Sequence, residues 1–423
     1  MRKSIFLLIL LVIVLSGGLL RYILASNFGY EEDIREGYRV FAAKVVIKGP
    51  FDLYVPDENL DVDYPPVLPW IFAAMSKLGG GLGAGQYPLF KRGLAVLLAL
   101  GDMALILLLA AIAGARSQKA ALVTATAWSA NPASLFDTGY WSQPNPFHLL
   151  FACLGLWMVV KQKWLWSGIF LGIGCLIKPQ IWPLLLPMAL WIWRDGGMKS
   201  LGRAFVGWLI PIAIVWLGFL GFGRAPTLKY LFINSMAGHL GLSMGAHNLW
   251  WIVQVFWQRG IGSEELWLGG ISAGTIAWTV AVAVLIVLLG LWWRKNRKER
   301  NSDGAEMVVL WALWFFLLAP QQHENHAMMA LALLAVIWAM GRKVGMAFAA
   351  MSLLIPLNCL LHDERLMRAL FIQPTEGLAA WILTPGTYTN NFSPLTALVS
   401  LASLAVGIVW WVRYFWIRKA AQA

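Results

Sequence analysis

The stretch from residue 93 to residue 113 reads GLAVLLALGDMALILLLAAIA and contains one charged residue, Asp102. A helix needs about 20 mainly apolar residues to cross the hydrocarbon core of a bilayer, so this stretch predicts a transmembrane helix. The whole chain is similar in character, with 59% hydrophobic residues, 13% charged residues and a mean hydropathy of +0.67 over 423 residues. Soluble domains carry about 25% charged residues, so the solvent of this chain is predicted to be largely lipid.

Working outward from this stretch, further apolar runs predict about twelve membrane spans in an all-α polytopic fold. The predicted spans are 4–25, 93–113, 120–137, 146–160, 164–178, 180–193, 204–222, 270–293, 306–320, 327–341, 344–361 and 393–412. Residues 1–423 are expected to form a single transmembrane domain, because no stretch has the composition of a separate soluble domain. The first apolar run has no good cleavage site after it, so it is interpreted as an uncleaved span.

The distribution of charge predicts the topology. With the N-terminus inside, every predicted inside segment is basic, and nearly all of the 21 acidic residues fall outside or in the spans. This pattern satisfies the positive-inside rule and places both termini in the cytoplasm. The net charge of +12 is spread over short clusters between apolar runs. It therefore does not indicate nucleic-acid binding, which favours a basic face on a polar domain.

The first predicted extracytoplasmic loop, residues 26–92, contains two apolar patterns. Ile34, Tyr38, Phe41 and Val45 recur at helical spacing, which predicts an amphipathic helix on the membrane surface. Residues 66–78 are apolar but too short to span, which predicts a second interfacial helix or a re-entrant segment. Two further outside regions are predicted, at 223–269 and 362–392.

Polar side chains at membrane depth are costly and mark functional sites, and here they gather on the predicted outer side. The clusters are Glu31-Glu32-Asp33, Asp61-Val62-Asp63-Tyr64-Pro65-Pro66, Asp137 to Asn145 with Tyr140 and Gln143, Lys178-Pro179-Gln180, His247-Asn248, and Gln321-Gln322-His323-Glu324-Asn325-His326. A carboxylate just above the membrane suits a general base, while a lysine and histidines suit a phosphate at headgroup level. Together these groups indicate group transfer from a phospholipid-like carrier.

The order of these motifs resembles the GT-C glycosyltransferases. The resemblance rests on a membrane-surface acid followed by Gly49-Pro50, Leu53-Tyr54 and Asp63-Tyr64-Pro65-Pro66. It rests further on Tyr140–Asn145, Lys178-Pro179-Gln180 and His323–His326, which follow in the family's order. It is strongest to the bacterial mannosyltransferase-like group related to the GPI mannosyltransferases, and the dolichol-pathway glucosyltransferases are similar in this loop. The aromatic-Ala pair of the family's surface helix stands here as Phe41-Ala42.

The resemblance implies a multi-spanning fold, a polyprenyl-phosphate sugar donor and an inverting transfer. It implies Asp33 as the catalytic base, with Glu32 and Glu31 as alternates. The donor phosphate is expected at Lys178, His323 and His326. The remaining candidates for substrate binding are Asp63, Tyr64, Tyr140, Gln143, Asn145, Gln180, His247, Asn248, Gln322 and Glu324.

Structural explanations compete with each assignment. The acids at 31–33 could start a helix, Asp63 could fix the Pro-Pro turn, and Lys178 could extend to the headgroups without a ligand. His323 and His326 with Glu324 suggest a metal site only weakly, because no third clear ligand stands beside the pair. The expectation is therefore that the protein needs no cofactor and no metal.

The sequence predicts an extracytoplasmic hexosyltransferase, with mannose favoured over glucose. The family resemblance implies a bacterial inner or plasma membrane. The expected partners of the protein are a lipid-linked sugar donor, the bilayer, and a glycolipid, lipid-linked glycan or protein acceptor. Two other classes remain open: a flippase or transporter of a lipid-linked glycan, and a glycan polymerase or ligase that uses a lipid-diphosphate donor. A transporter would favour inverted repeats and broken helices, and neither is visible in the sequence.

Overall fold

The computed structural model describes residues 2–57, 62–231, 241–257, 260–294, 303–363 and 394–417. Within these ranges the chain is helical, and only isolated β-bridges occur. The predicted all-α polytopic membrane fold is confirmed. Asp61 and most of the predicted outside region 362–392 lie outside the described residues.

Fourteen longer helices account for most of the described chain. They are α1 (Lys3–Asn27), α2 (Arg39–Lys48), α3 (Val67–Leu78), α4 (Tyr87–Gly114), α5 (Gln118–Ser129), α6 (Asn145–Val160), α7 (Trp164–Cys175), α8 (Trp182–Gly221), α9 (Leu249–Trp257), α10 (Ala273–Arg294), α11 (Asp303–Leu318), α12 (Met328–Ala339), α13 (Gly345–His362) and α14 (Pro394–Val412). π-Helical turns occupy Asp33–Tyr38, Leu135–Tyr140 and Arg413–Ile417. Shorter helical turns occupy Ala84–Gln86, Pro132–Ser134, Pro179–Ile181, Ala225–Leu228 and Leu268–Gly270.

Among the described residues, six helical stretches are long and apolar enough to cross a membrane: Lys3–Asn27, Tyr87–Gly114, Pro179–Gly221, Ala273–Arg294, Gly345–His362 and Leu395–Phe415. Five shorter apolar helices lie at Val67–Leu78, Asn145–Val160, Trp164–Cys175, Gly304–Leu318 and Met328–Ala339. Every predicted span thus falls on an observed helix, but the count of twelve spans stays a prediction.

The predicted spans 180–193 and 204–222 are both helical and lie almost entirely within the range given for α8. The helix breaks between them, where Gly197 adopts φ 74° and ψ −178°. The basic segment between them, with Arg194, Lys199 and Arg203, is therefore helical on both sides of this break. Glycine has no Cβ to clash at positive φ, so it can turn the chain here without a loop.

The described residues divide into two compact units. The first unit comprises 1–238 and 335–342, and the second comprises 239–334 and 343–423. The expectation of a single transmembrane domain stays a prediction.

A buried ion pair organises the first unit. Arg21 of α1 and Asp102 of α4 pair directly, and both side chains are almost fully buried. Arg21 also donates to the carbonyl of Ser129 at 2.8 Å, and Asp102 accepts from the indole of Trp128 at 2.8 Å and from Ser134 at 2.7 Å. Because every charge is hydrogen-bonded, the pair is tolerable inside the unit and fixes where α1, α4 and α5 meet.

The predicted surface helix forms as a π-helical turn followed by α2. Ile34, Tyr38 and Phe41 are buried and Val45 is half-buried, which confirms the predicted apolar stripe. The second predicted interfacial segment forms α3, and the indole of Trp70 in α3 donates to the carbonyl of Pro50 at 2.9 Å.

Candidate functional site

A turn between the π-helical segment Leu135–Tyr140 and α6 organises the candidate site in the first unit. Ser142 in this turn has φ 60°, which is an unusual conformation for a residue other than glycine. The backbone amides of Gly29 and Tyr30 donate to the carbonyls of Tyr140 and Trp141, at 2.8 and 3.1 Å. These bonds tie the end of α1 to the turn, and so they bring the acids that follow α1 next to Gln143.

Asp33 is the acid of the trio that reaches the turn. Its carboxylate accepts a hydrogen bond from the side-chain amide of Gln143. The other end of that amide accepts from the hydroxyl of Tyr38, at 3.2 Å. Asp33 begins one π-helical turn, and the buried Asp137 lies in another. π-Helical turns are rare and occur often at functional sites, so both carboxylates stand at unusual backbone positions.

The environment of Asp33 sets its ionisation. Burial raises the pKa of Asp33 to about 6, and the nearby charges of Glu32 and Asp63 act in the same direction. The Gln143 hydrogen bond and the charge of Lys178 oppose this rise in pKa. A carboxylate with a pKa near 6 is ionised at neutral pH and still basic enough to accept a proton.

Glu31 and Glu32 have different surroundings. Glu31 pairs with Arg35 and with Lys91, each at 2.8 Å, and accepts from the hydroxyl of Tyr87. Burial opposes its ionisation, but these three hydrogen bonds outweigh burial and lower the pKa of Glu31 to about 2. Glu32 is exposed and accepts from Tyr30 at 3.0 Å. A carboxylate with a pKa near 2 is a poor base, so the pKa values favour Asp33 as the candidate base within the trio.

Lys178 is held by a second chain of polar contacts at the same turn. Its ammonium donates to the side-chain oxygen of Asn145 at 2.8 Å, and it is 2% exposed. The amide nitrogen of Asn145 donates to both carboxylate oxygens of Asp137, at 2.9 and 3.0 Å. The ammonium also lies 5.1 Å from the ring centroid of Tyr64, a cation–π distance. The first unit thus holds both the buried ammonium of Lys178 and the carboxylate of Asp33.

The remaining candidates in the first unit occupy less central positions. Asp63 is half-buried and close enough to raise the pKa of Asp33 by its charge. Gln180 is half-buried in the short helical turn after Lys178. Tyr140 packs its ring against Phe28 and Phe136, with centroids 5.3 and 5.0 Å apart. In this structure Tyr140 therefore stabilises the end of α1.

Three residues near the site have no functional role predicted from the sequence. Tyr38 belongs to the predicted apolar stripe, and Asp137 belongs to a predicted polar cluster. His148 lies three residues after Asn145, which puts the two on the same side of α6. Its Nδ1 is buried and has no hydrogen-bond partner within the described residues. That three-residue spacing was the signal that could have drawn attention to His148.

In the second unit, His247 and Asn248 lie just before α9. Asn248 caps this helix, since its side-chain oxygen accepts from the backbone amides of Trp250 and Trp251, at 3.0 and 3.2 Å. His247 is fully buried, and its ring lies 5.1 Å from the ring of His362. The backbone amide of His247 donates to Asn358 at 2.8 Å.

The segment 321–326 in the second unit gathers the other predicted polar residues. The rings of His323 and His326 lie 5.2 Å apart, and Nδ1 of His326 lies 3.1 Å from the side-chain oxygen of Gln322. Nδ1 of His323 lies 3.9 Å from a carboxylate oxygen of Glu324. Across the described ranges, no group of three or more His, Cys, Asp or Glu side chains is arranged to hold a metal ion. The roles of these residues in binding the donor stay predictions.

Helices of spanning length and apolar character make the chain an integral membrane protein. Its residues 63–320, more than half of the chain, match the family model of glycosyltransferase family 87. The chain belongs to glycosyltransferase family 87, which confirms the membrane glycosyltransferase predicted from the sequence.

One solved structure similar to the chain is the crystal structure of the Archaeoglobus fulgidus oligosaccharyltransferase, tethered with an acceptor peptide containing the NVT sequon via a disulfide bond. The identity is 12% and the TM-score is 0.44, over 98% of this chain and 55% of the archaeal chain. The chain thus spans about half the length of that oligosaccharyltransferase. No curated protein matches the chain.

Proposed function

We propose that the protein is an extracytoplasmic inverting glycosyltransferase that moves a hexose from a polyprenyl-phosphate carrier to an acceptor hydroxyl. The observation that carries this proposal is that one turn of a membrane protein holds both the carboxylate of Asp33, with a pKa of about 6, and the buried ammonium of Lys178. Membership of a glycosyltransferase family supports the reaction class.

In the proposed reaction, Asp33 accepts the proton of the acceptor hydroxyl while that oxygen attacks the anomeric carbon of the sugar. The bond from the anomeric carbon to the phosphate oxygen breaks, and the electron pair leaves with polyprenyl phosphate. A single displacement of this kind inverts the anomeric centre. Asp33 then returns its proton to solvent.

Lys178 is proposed to stabilise the leaving phosphate. A phosphate monoester is a stable anion at neutral pH, so cations that bind it contribute more than a general acid would. A buried ammonium suits this task because water screens it little. His323 and His326 of the second unit are retained as proposed phosphate ligands, on the resemblance alone.

The donor and the acceptor are proposed from the sequence resemblance. Mannose is favoured and glucose is the alternative, and the carrier is a polyprenyl phosphate. The acceptor would be a glycolipid, a lipid-linked glycan or a protein. The charge distribution supports a site on the extracytoplasmic face, with both termini cytoplasmic.

The test is a transfer assay with purified protein, short-chain polyprenyl-phosphate mannose or glucose, and a panel of acceptors. Three proteins are compared: wild type, Asp33→Asn, and Glu32→Gln as a control at the exposed neighbouring carboxylate. We expect wild type and Glu32→Gln to release polyprenyl phosphate at similar rates. We expect Asp33→Asn to be slower by roughly 10²–10⁴-fold, which is the usual contribution of a general base.

The outcomes separate the proposal from the other two classes. Equal activity of Asp33→Asn and wild type would reject Asp33 as the base. Consumption of only lipid-diphosphate sugars would favour a polymerase or ligase. Movement of labelled lipid-linked sugar across proteoliposomes, with no transfer in any arm, would favour a flippase.

A further inference from the structure

Two amide side chains of the turn Ser142–Asn145 each hold one ionised group of the candidate site. We propose that Gln143 and Asn145 are positioning residues that fix the Asp33 carboxylate and the Lys178 ammonium. The sequence had suggested that both amides bind substrate. This inference rests on the proposed function, since it assigns Asp33 and Lys178 to the transfer.

Both ends of the Gln143 amide are engaged. Its nitrogen donates to Asp33, and its oxygen accepts from the hydroxyl of Tyr38 at 3.2 Å. A carboxylate only accepts hydrogen bonds, so the amide nitrogen has to face Asp33 and the oxygen has to face Tyr38. Tyr38 is 2% exposed and Gln143 is 5% exposed. The amide is therefore oriented by a buried partner and turned toward the carboxylate.

Asn145 is engaged in the same manner. Its nitrogen faces the two oxygens of Asp137, at 2.9 and 3.0 Å, which leaves its oxygen for the ammonium of Lys178 at 2.8 Å. Asp137 is fully buried, and Asn145 is 2% exposed. The carboxylate of Asp137 thus orients the amide that holds the cation. A sugar hydroxyl would have to displace one of these hydrogen bonds to bind the Asn145 amide.

The backbone of the turn connects the two amides rigidly. Pro144 stands between Gln143 and Asn145, and its ring restricts the backbone there. The backbone amide of Gln143 donates to the carbonyl of Asp137 at 3.0 Å, and Ser142 is held at φ 60°. The positions of the base and of the cation are thus both set by a few residues of one turn. Small displacements of reacting groups can cost a hundredfold in rate, so such a clamp serves catalysis.

The test replaces Gln143 by asparagine, which keeps the amide but shortens the side chain by one methylene. The control is Gln162→Asn, because Gln162 is exposed just after α6 and its φ of 57° suits asparagine. The rate constant kcat, the KM for donor and for acceptor, and the pH profile of kcat are measured with short-chain polyprenyl-phosphate mannose or glucose.

We expect Gln143→Asn to lower kcat by about 10- to 100-fold and to change KM by less than about twofold. We also expect the acid limb of its profile to move to higher pH, because the lost hydrogen bond favours the ionised form of Asp33. The charges of Lys178, Glu32 and Asp63 still act on that carboxylate. A raised KM with an unmoved acid limb would show that Gln143 binds substrate, and it would overturn the inference.

A second measurement does not depend on turnover. The carboxyl of Asp33 is titrated by infrared difference spectroscopy, with Asp33→Asn as the blank, in wild type, Gln143→Asn and Tyr38→Phe. A higher titration midpoint in both variants supports the clamp even if wild type transfers no sugar, in which case the proposed reaction alone fails. Unchanged midpoints with wild-type transfer intact would overturn the clamp and leave the proposed function standing.

Discussion

The Asp33 carboxylate ionises under the influence of burial, one hydrogen bond and three charged neighbours, with a pKa of about 6. A base acts only when deprotonated, so kcat/KM should rise with pH through about 6 and then reach a plateau. The measurement is the initial rate of polyprenyl-phosphate release between about pH 4.5 and 8 at fixed ionic strength. This pH range extends about 1.5 units or more on either side of that pKa. An acid limb centred near pH 4 would show that the base is an ordinary solvated carboxylate.

The raised pKa of Asp33 also predicts an effect on stability. Its pKa rises from the ordinary value of 3.8 to about 6, so the folded protein holds this proton more tightly than the unfolded chain does. Stability from this group is complete below about pH 4 and is lost as the pH rises through 6. Asp33→Asn should therefore melt at a higher temperature than wild type at pH 8, and the difference should shrink towards pH 4.

Thermal denaturation in one detergent at both pH values measures this difference. Glu36→Gln is the control, because it removes an exposed carboxylate from the same π-helical turn. A lower melting temperature for Asp33→Asn at pH 8 would mean that the carboxylate stabilises the fold, contrary to the prediction.

The sequence located the acid trio, and the family resemblance favoured Asp33, but the residues alone gave no physical reason to prefer Asp33 to its neighbours. Three consecutive acids differ in function only through their partners, and those partners come from distant segments: Gln143 for Asp33, and Lys91 for Glu31. Side-chain pairing of this kind has no local pattern. Asp137 and Tyr38 were overlooked for the same reason, because each acts through an amide of the turn.

Among the helices, the buried ion pair of Arg21 and Asp102 carries a prediction for stability. Asp102→Asn removes the charge that compensates Arg21 in the interior, which should destabilise the protein by about 3–5 kcal/mol. The double variant Arg21→Met with Asp102→Leu should recover most of this loss, because it removes both buried charges. Thermal denaturation of the two variants measures the difference, and equal losses in both would contradict the prediction.

The close approach of α7 and α8 carries a second prediction for stability. A Cβ on Gly168 would collide with the carbonyl oxygen of Ala204 and would lie 2.7 Å from the backbone nitrogen of Trp208. Gly168→Ala should therefore separate the two helices and cost about 1–3 kcal/mol. The matched control is Gly202→Ala in α8, where a Cβ would meet nothing within 4 Å. That control should be neutral or slightly stabilising, since alanine favours helix.

A loss of stability in Gly202→Ala equal to that in Gly168→Ala would contradict this account, because it would point to a general effect of replacing glycine. The same denaturation assay serves both variants, and equal expression is checked first.

Apolar runs predicted the helices well, and charge patterns predicted their breaks less well. The run 93–113 lies inside α4, and 344–361 nearly coincides with α13. The basic segment around Arg194 and Lys199 was predicted as a loop, but it is helical on either side of a break at the single residue Gly197. Lysine and arginine are compatible with helix, so a cluster of charges marks the edge of the membrane without marking the end of a helix.

Taken over the whole chain, 33 basic and 21 acidic residues are distributed unevenly along the sequence. Basic residues near the ends of spans favour the cytoplasmic side, which is the ground for placing the N-terminus and the segment around Lys199 inside and the acid trio outside. The predicted orientation therefore rests on the distribution of charge.

Cysteine labelling tests that orientation directly. Cys153, Cys175 and Cys359 are all buried, so they should react little with a membrane-impermeant maleimide. Single cysteines are introduced at three exposed positions of the first unit, as Glu32→Cys, Lys199→Cys and Arg2→Cys. Glu32→Cys should label in intact cells, whereas Lys199→Cys and Arg2→Cys should label only after permeabilisation. Labelling of Glu32→Cys only after permeabilisation would put Asp33 on the cytoplasmic side, where the charge pattern says it does not lie, and the extracytoplasmic reaction would have to be abandoned.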